Sequence, residues 1–287
     1  MSNNIFWYLK HNPLTVYTLN KILDFRCRNV KAYIFIATTG RSGTATLSKI
    51  FTAVDNAVCL HEPSPVMFND YPPGTDRVPY FKDKFYKLKR IYINTAAAGH
   101  SYYVEANHQF VKNFIDLAVE CFDDRLRVIH LVRDPVSVGS SFYQVNSIPG
   151  ETATAKLYMI DPRERTNLIN ISNLLYETDE FKHDLYKCIW YWYEVETRVK
   201  MAKQKHPNTV FYKLETDDLN NKDILLDMFN KLGIHVNLEK FYPLIGLKAN
   251  TRLSEKTKKV DIEECRKMNK KLLKKMEQRY GKDFWVS

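Results

Sequence analysis

Two short stretches of the chain hold residues whose types and spacing suit oxyanion chemistry. The first is Tyr33–Phe51, YIFIATTGRSGTATLSKIF, in which an apolar run meets a glycine-bearing turn and then a helical pattern. A strand that passes through such a turn into a helix aims several backbone N–H groups and the positive helix end at one point, a cradle for phosphate or sulfate oxygens. Arg41 adds a permanent charge, Gly40 and Gly43 permit a tight backbone, and Ser42, Thr44 and Thr46 supply hydroxyl donors. The sequence lacks G-x-x-x-x-G-K-[ST], whose lysine reaches terminal phosphates and whose hydroxyl holds magnesium, so a gripped oxyanion without a metal is expected. The second stretch is Arg127–Tyr143, RVIHLVRDPVSVGSSFY. Arg133 leaves the end of an apolar run, and Ser141 follows eight residues later, about two helical turns along. An arginine and a serine so spaced converge on one phosphate; the plainer alternatives are an ion pair of Arg133 with Asp134 and an ordinary helical serine.

The elements around these stretches define the fold. Leu14–Arg28, Thr44–Val54, Gln109–Cys121 and Val136–Val145 carry helical spacing, while Ala32–Ala37, Ala57–Leu60, Tyr102–Glu105, Arg127–Val132 and Thr209–Lys213 are short β-branched and aromatic runs of strand type. Their alternation predicts an α/β fold, a P-loop-type parallel β-sheet of about four to five strands flanked by helices on both faces. Two proline- and glycine-bearing stretches, 63–79 and 146–166, are expected as surface loops that wall or cover an acceptor site. Without a convincing linker the chain is expected to form one domain, 1–287. Its N-terminal helical extension covers 1–30, further helices follow from about Phe181, and a basic C-terminal helix covers 254–287.

The 287 residues carry a net charge of +10, and 45% are hydrophobic, which excludes a disordered, collagen-like or coiled-coil chain. Eleven Lys/Arg against five Asp/Glu in Ser254–Lys282 place six of those charges in the tail. Such a tail invites a nucleic-acid or membrane reading, but Cys265, Met268, Leu272 and Met276 recur at steps of three and four, the stripe of one amphipathic helix with solvated lysines. No apolar run reaches the 18 or more residues of a membrane span. Five scattered cysteines lack the pairing of a disulfide framework or zinc site. A cytoplasmic protein, monomeric or homodimeric, with neither metal nor nucleic-acid partner, is expected.

Taken together, GRSGT after one strand and RDPVSVGSS after another resemble the sulfotransferases that use 3′-phosphoadenosine 5′-phosphosulfate, over roughly Tyr33–Tyr143 and more loosely over Lys187–Arg252. The resemblance implies that Arg41, Ser42, Gly43, Thr44, Ala45 and Thr46 hold the 5′-phosphosulfate, and Arg133 with Ser141 the 3′-phosphate. It further implies a late basic loop over that phosphate, for which Lys248, Asn250 and Arg252 stand in a poor match whose other reading is a solvated loop. Trp190, Trp192 and Tyr193 offer an adenine-stacking platform or, more ordinarily, core.

Sulfuryl transfer also requires removal of the acceptor proton. Glu62 in LHEPSP, 21 residues beyond Arg41, and His108 in YVEANHQF each stand at the end of an expected strand. The resemblance gives two precedents: a carboxylate base in the protein-tyrosine branch, which shares the arginine-type loop, and a histidine base in the cytosolic branch. Glu62 is preferred and His108 retained, with His61 and Glu105 in reserve. The expected activity is transfer to a hydroxyl or amine of a small-molecule acceptor, such as a secondary metabolite in natural-product tailoring. A P-loop phosphotransferase and a non-catalytic basic binding protein are the alternatives.

Overall fold

The computed structural model describes residues 12–72, 74–247, 258–282 and 284. In chain order the elements are α1 (Pro13–Arg26), β1 (Ala32–Ala37), α2 (Thr44–Ile50), β2 (Ala57–His61), α3 (Arg77–Lys84), α4 (Arg90–Ala97), β3 (Tyr102–Ala106), α5 (Ile115–Phe122), β4 (Leu126–Val132), α6 (Pro135–Gln144), α7 (Ala153–Tyr158), α8 (Ser172–Glu177), α9 (Asp184–Lys205), β5 (Val210–Glu215), α10 (Lys222–Lys231), α11 (Leu238–Phe241) and α12 (Ile262–Tyr280). The five strands form one sheet in the order β2-β3-β1-β4-β5, and every pairing is parallel. Chain order reverses between β1 and β4, the switch point outside whose carboxyl ends open α/β sheets bind ligands.

Strand β1 is buried on both faces, and its side chains divide the core in two. Tyr33, Phe35 and Ala37 join α5, α6, α9 and α12 on one face, while Ala32, Ile34 and Ile36 join α2, α10 and α11 on the other. Phe35 stacks on Phe110 with ring centroids 4.6 Å apart, tying the central strand to the segment after β3. Full burial of such rings stabilises by roughly 1.5–3 kcal/mol each.

All five expected strands form, with ends that differ by one or two residues. The helical elements differ more. The expected helix Gln109–Cys121 opens as a π turn over Phe110–Phe114, and a second π turn, Phe85–Lys89, joins α3 to α4. The stretch 63–79 is not loop throughout, because Asp76 accepts from the Val78 N–H at 3.0 Å and so caps α3. The stretch 146–166 holds α7, so it too is loop only in part. In α12, Cys265, Leu272 and Met276 are buried and Met268 packs beside them, as the stripe requires. Among the described residues no helix is long and apolar enough to cross a membrane.

Candidate functional site

The carboxyl ends of β1 and β4 bring the two oxyanion stretches together. Gly40, Arg41 and Gly43 have φ of +85°, +59° and +87°, so the turn before α2 winds through three left-handed residues. An added Cβ at Gly43 would lie 2.8 Å from Leu219 Cδ1, so the end of that side chain would have to shift, whereas the left-handed φ itself favours glycine. The N–H groups of Ser42, Gly43, Thr44 and Ala45 make no backbone hydrogen bond among the described residues, whereas that of Thr46 donates to Gly43 O at 3.0 Å. Arg41 Nε donates to the Ser141 hydroxyl at 2.9 Å, and Arg133 Nη1 donates to the Arg41 carbonyl at 3.0 Å. The alternative of an ion pair between Arg133 and Asp134 does not form: Asp134 instead caps α6 by accepting from the Ser137 N–H at 2.8 Å. Among the described residues Arg133 makes no ion pair. Burial, and then the like charge of Arg133, lower the Arg41 pKa below its ordinary value. Two cations held side by side among hydroxyl and N–H donors fit a multiply charged phosphate.

Three side chains far away in sequence hold this turn. The Thr216 hydroxyl, just past β5, lies 2.9 Å from Ser42 O and 3.0 Å from Val132 O and donates to both. Tyr191 on α9 donates to Thr39 O at 3.3 Å, and Trp192 Nε1 donates to Arg133 O at 2.6 Å. Trp190 and Tyr193 are core, as the plainer expectation held, so Trp192 alone of that trio reaches the site through its indole N–H. Sequence spacing reveals none of these clamps, since each partner is a backbone carbonyl.

Glu62 and His108 meet at the ends of β2 and β3. The Glu62 N–H donates to Ala106 O at 2.9 Å, extending the β2–β3 ladder by one residue. The residue is nonetheless left-handed, at φ +47°, a conformation a glutamate adopts only under constraint. Its Oε1 is hydrogen-bonded to His108 Nδ1. Burial would raise the Glu62 pKa, but the His108 hydrogen bond and the charges of His108, His61 and Lys112 outweigh it and leave the carboxyl below its ordinary value. Burial, and then Lys112, lower the His108 pKa, so the ring is neutral at pH 7. The pair is therefore a carboxylate accepting from a neutral imidazole.

The reserve candidates have other tasks. Glu105 is fully buried, paired with Lys89 Nζ at 2.7 Å, and also accepts from Tyr103 and from Asn107 Nδ2. Lys89 in turn donates to Pro63 O at 3.3 Å, which fixes the loop leaving Glu62. His61 Nε2 lies 3.1 Å from Thr44 Oγ1. Lys248, Asn250 and Arg252 lie outside the described residues.

Residues 31–241 match the sulfotransferase-domain family model. The chain belongs to the sulfotransferase family. No curated protein matches the sequence. Among solved structures, a sulfotransferase domain from the curacin biosynthetic pathway is similar, with 12% identity over 86% of this chain and 98% of that one and a TM-score of 0.49. A sulfotransferase from Alicyclobacillus acidocaldarius has 13% identity over 87% and 96%, with a TM-score of 0.44. Retinol dehydratase in complex with androsterone and inactive cofactor PAP has 17% identity over 87% and 81%, with a TM-score of 0.35. The domain match includes the turn at 40–46, Glu62, His108, Arg133, Ser141 and the three clamps of this sulfotransferase.

Proposed function

We propose that the protein transfers the sulfuryl group of 3′-phosphoadenosine 5′-phosphosulfate to a hydroxyl or amine of a small-molecule acceptor, with Glu62 as general base. The observation that carries the proposal is the contact of Arg41 with both Ser141 and Arg133, which joins the two oxyanion stretches, 100 and 92 residues apart, into one cationic floor at the switch point. The backbone turn and Arg41 bind the 5′ end of the donor, and Arg133 with Ser141 the 3′-phosphate. Bound there, the donor supplies a sulfuryl group on a phosphate leaving group.

The residues of the chain do the rest. Glu62 accepts the acceptor proton as the acceptor oxygen or nitrogen bonds to sulfur and the sulfur–phosphate oxygen bond breaks. Arg41 and the N–H groups of the turn stabilise the charge that gathers on the released phosphate, a task for fixed donors in a partly enclosed site. A carboxylate below its ordinary pKa is ionised at pH 7, and one that already accepts from His108 has a fixed direction for its second oxygen.

Isothermal titration calorimetry with adenosine 3′,5′-bisphosphate and with magnesium–ATP tests the donor. Binding of the bisphosphate without metal is expected; binding of magnesium–ATP in its place would overturn the proposal. Transfer of labelled sulfate to candidate metabolites then identifies the acceptor.

A further inference from the structure

We infer that Gln109 is a positioning residue for the base: its amide donates to His108 Nε2 and, with the Glu62 carboxylate on Nδ1, holds the ring in one tautomer, so that it turns no free lone pair toward an acceptor. The inference deepens the proposed function and rests on Glu62 as base.

The direction of every hydrogen bond in the chain behind His108 is set by groups that only donate or only accept. Arg77 Nη2 lies 2.6 Å from one terminal atom of the Asn113 side chain; a guanidinium only donates, so that atom is the amide oxygen. The other terminal atom, Asn113 Nδ2, is 2.6 Å from the Met67 carbonyl, which only accepts. Asn113 Nδ2 also donates to Gln109 Oε1 at 3.1 Å. Gln109 Nε2 is 2.9 Å from the Tyr158 carbonyl, so its nitrogen end is fixed twice over. That same Nε2 lies 3.1 Å from His108 Nε2 and brings a hydrogen to it.

His108 Nε2 therefore accepts, the ring proton sits on Nδ1, and Nδ1 donates to Glu62. The chain Arg77, Asn113, Gln109, His108, Glu62 runs one way from a permanent cation to the base. Gln109 and Asn113 are buried, which leaves water little access to reverse it. Around the ring, His61 faces it from the end of β2, Glu62 from the residue just past it and Lys112 from the π turn, and the Tyr158 ring stacks on it at 5.7 Å. The arrangement also assigns the roles of the two base candidates. With Nε2 committed to an amide and Nδ1 to a carboxylate, His108 orients Glu62 and does not itself accept the substrate proton.

Long-range ¹H–¹⁵N correlation spectra of protein labelled with ¹⁵N-histidine test the inference near pH 7, with His108→Asn identifying the signal. The wild type is expected to show a protonated Nδ1 and an unprotonated Nε2. An Nε2–H tautomer in the wild type would overturn the inference without any variant of Gln109. In Gln109→Leu the Nε2 resonance is expected to shift as it loses its donor while Nδ1 stays protonated against the Glu62 carboxylate, and in Gln109→Glu the new carboxylate is expected to draw a proton onto Nε2. An unshifted Nε2 resonance in folded Gln109→Leu would also overturn it. Turnover of Gln109→Leu is expected to fall about tenfold or more with bisphosphate affinity unchanged. Undiminished turnover of Glu62→Gln would instead sink the assignment of the base and leave the tautomer result standing.

Discussion

The two sides of the crevice are held in place by different means. On the Arg41 side the ligand-facing groups are largely main chain, and the clamps from Thr216, Tyr191 and Trp192 all grip carbonyl oxygens. On the Glu62 side the support is a line of side chains, each holding the next by an amide or imidazole hydrogen bond. A main-chain cradle loses affinity in steps as single charges or clamps are removed. A side-chain relay loses direction when any one link is cut, because each amide or ring orients its neighbour.

Four substitutions sharpen or break that contrast. Glu62→Gln is expected to lower turnover by about 10²- to 10⁴-fold while adenosine 3′,5′-bisphosphate still binds with wild-type affinity, as read by steady-state kinetics and calorimetry. If bisphosphate affinity falls with turnover, the two sides are not separable. Arg41→Ala is expected to weaken the bisphosphate by roughly 10- to 100-fold, the loss of a charge-assisted contact of about 1.5–3 kcal/mol. Thr216→Val keeps the shape but removes a hydroxyl shared by two carbonyls; denaturant titration should show a loss of about 1–3 kcal/mol, with a smaller loss of bisphosphate affinity. Equal stability in that variant would mean the clamp is not holding the turn.

The smallest effect is in pH dependence. The folded pKa of His108 is lowered, so between that value and 6.5 the unfolded chain binds more protons and stability rises with pH, reaching its full value above 6.5. His108→Asn should flatten this part of the stability curve. The Glu62 pKa is also lowered, so its contribution is present above 4.5 and lost only as pH falls through the folded value. Glu62→Gln should remove that second, more acidic component and, because the carboxylate raises the His108 pKa, move the His108 component to lower pH.

The same contrast explains what could be read from the sequence. Arg41 and Ser141 announce themselves because glycines, a strand and a helix lie next to them in the chain, and local order is visible locally. The central strand was legible for a related reason: burial on both faces demands an unbroken apolar run such as AYIFIA. Gln109, Lys112 and Thr216 carry no such mark, since a buried amide, amine or hydroxyl is defined by partners tens of residues away. Lys112 left one trace, a lysine inside the apolar run FVKNF. In the structure it is buried, bonded to Tyr191 and Tyr158, and desolvation, followed by the charge of Arg77, brings its pKa well below the ordinary lysine value. The helix α3 was hidden because Pro72 and Pro79 bracket its start and favoured a loop, whereas Asp76 supplies the cap that begins it.

The hydroxyl of Thr216 spans carbonyls that belong to residues 174 and 84 positions earlier in the chain. Contacts of that separation carry a high loop-closure cost and are expected to close late in folding. The anion grip is therefore expected to be complete only once the edge strand β5, which leads into Thr216, has docked. Recovery of bisphosphate binding during refolding should lag behind recovery of helical signal, making ligand capture a reporter of complete assembly.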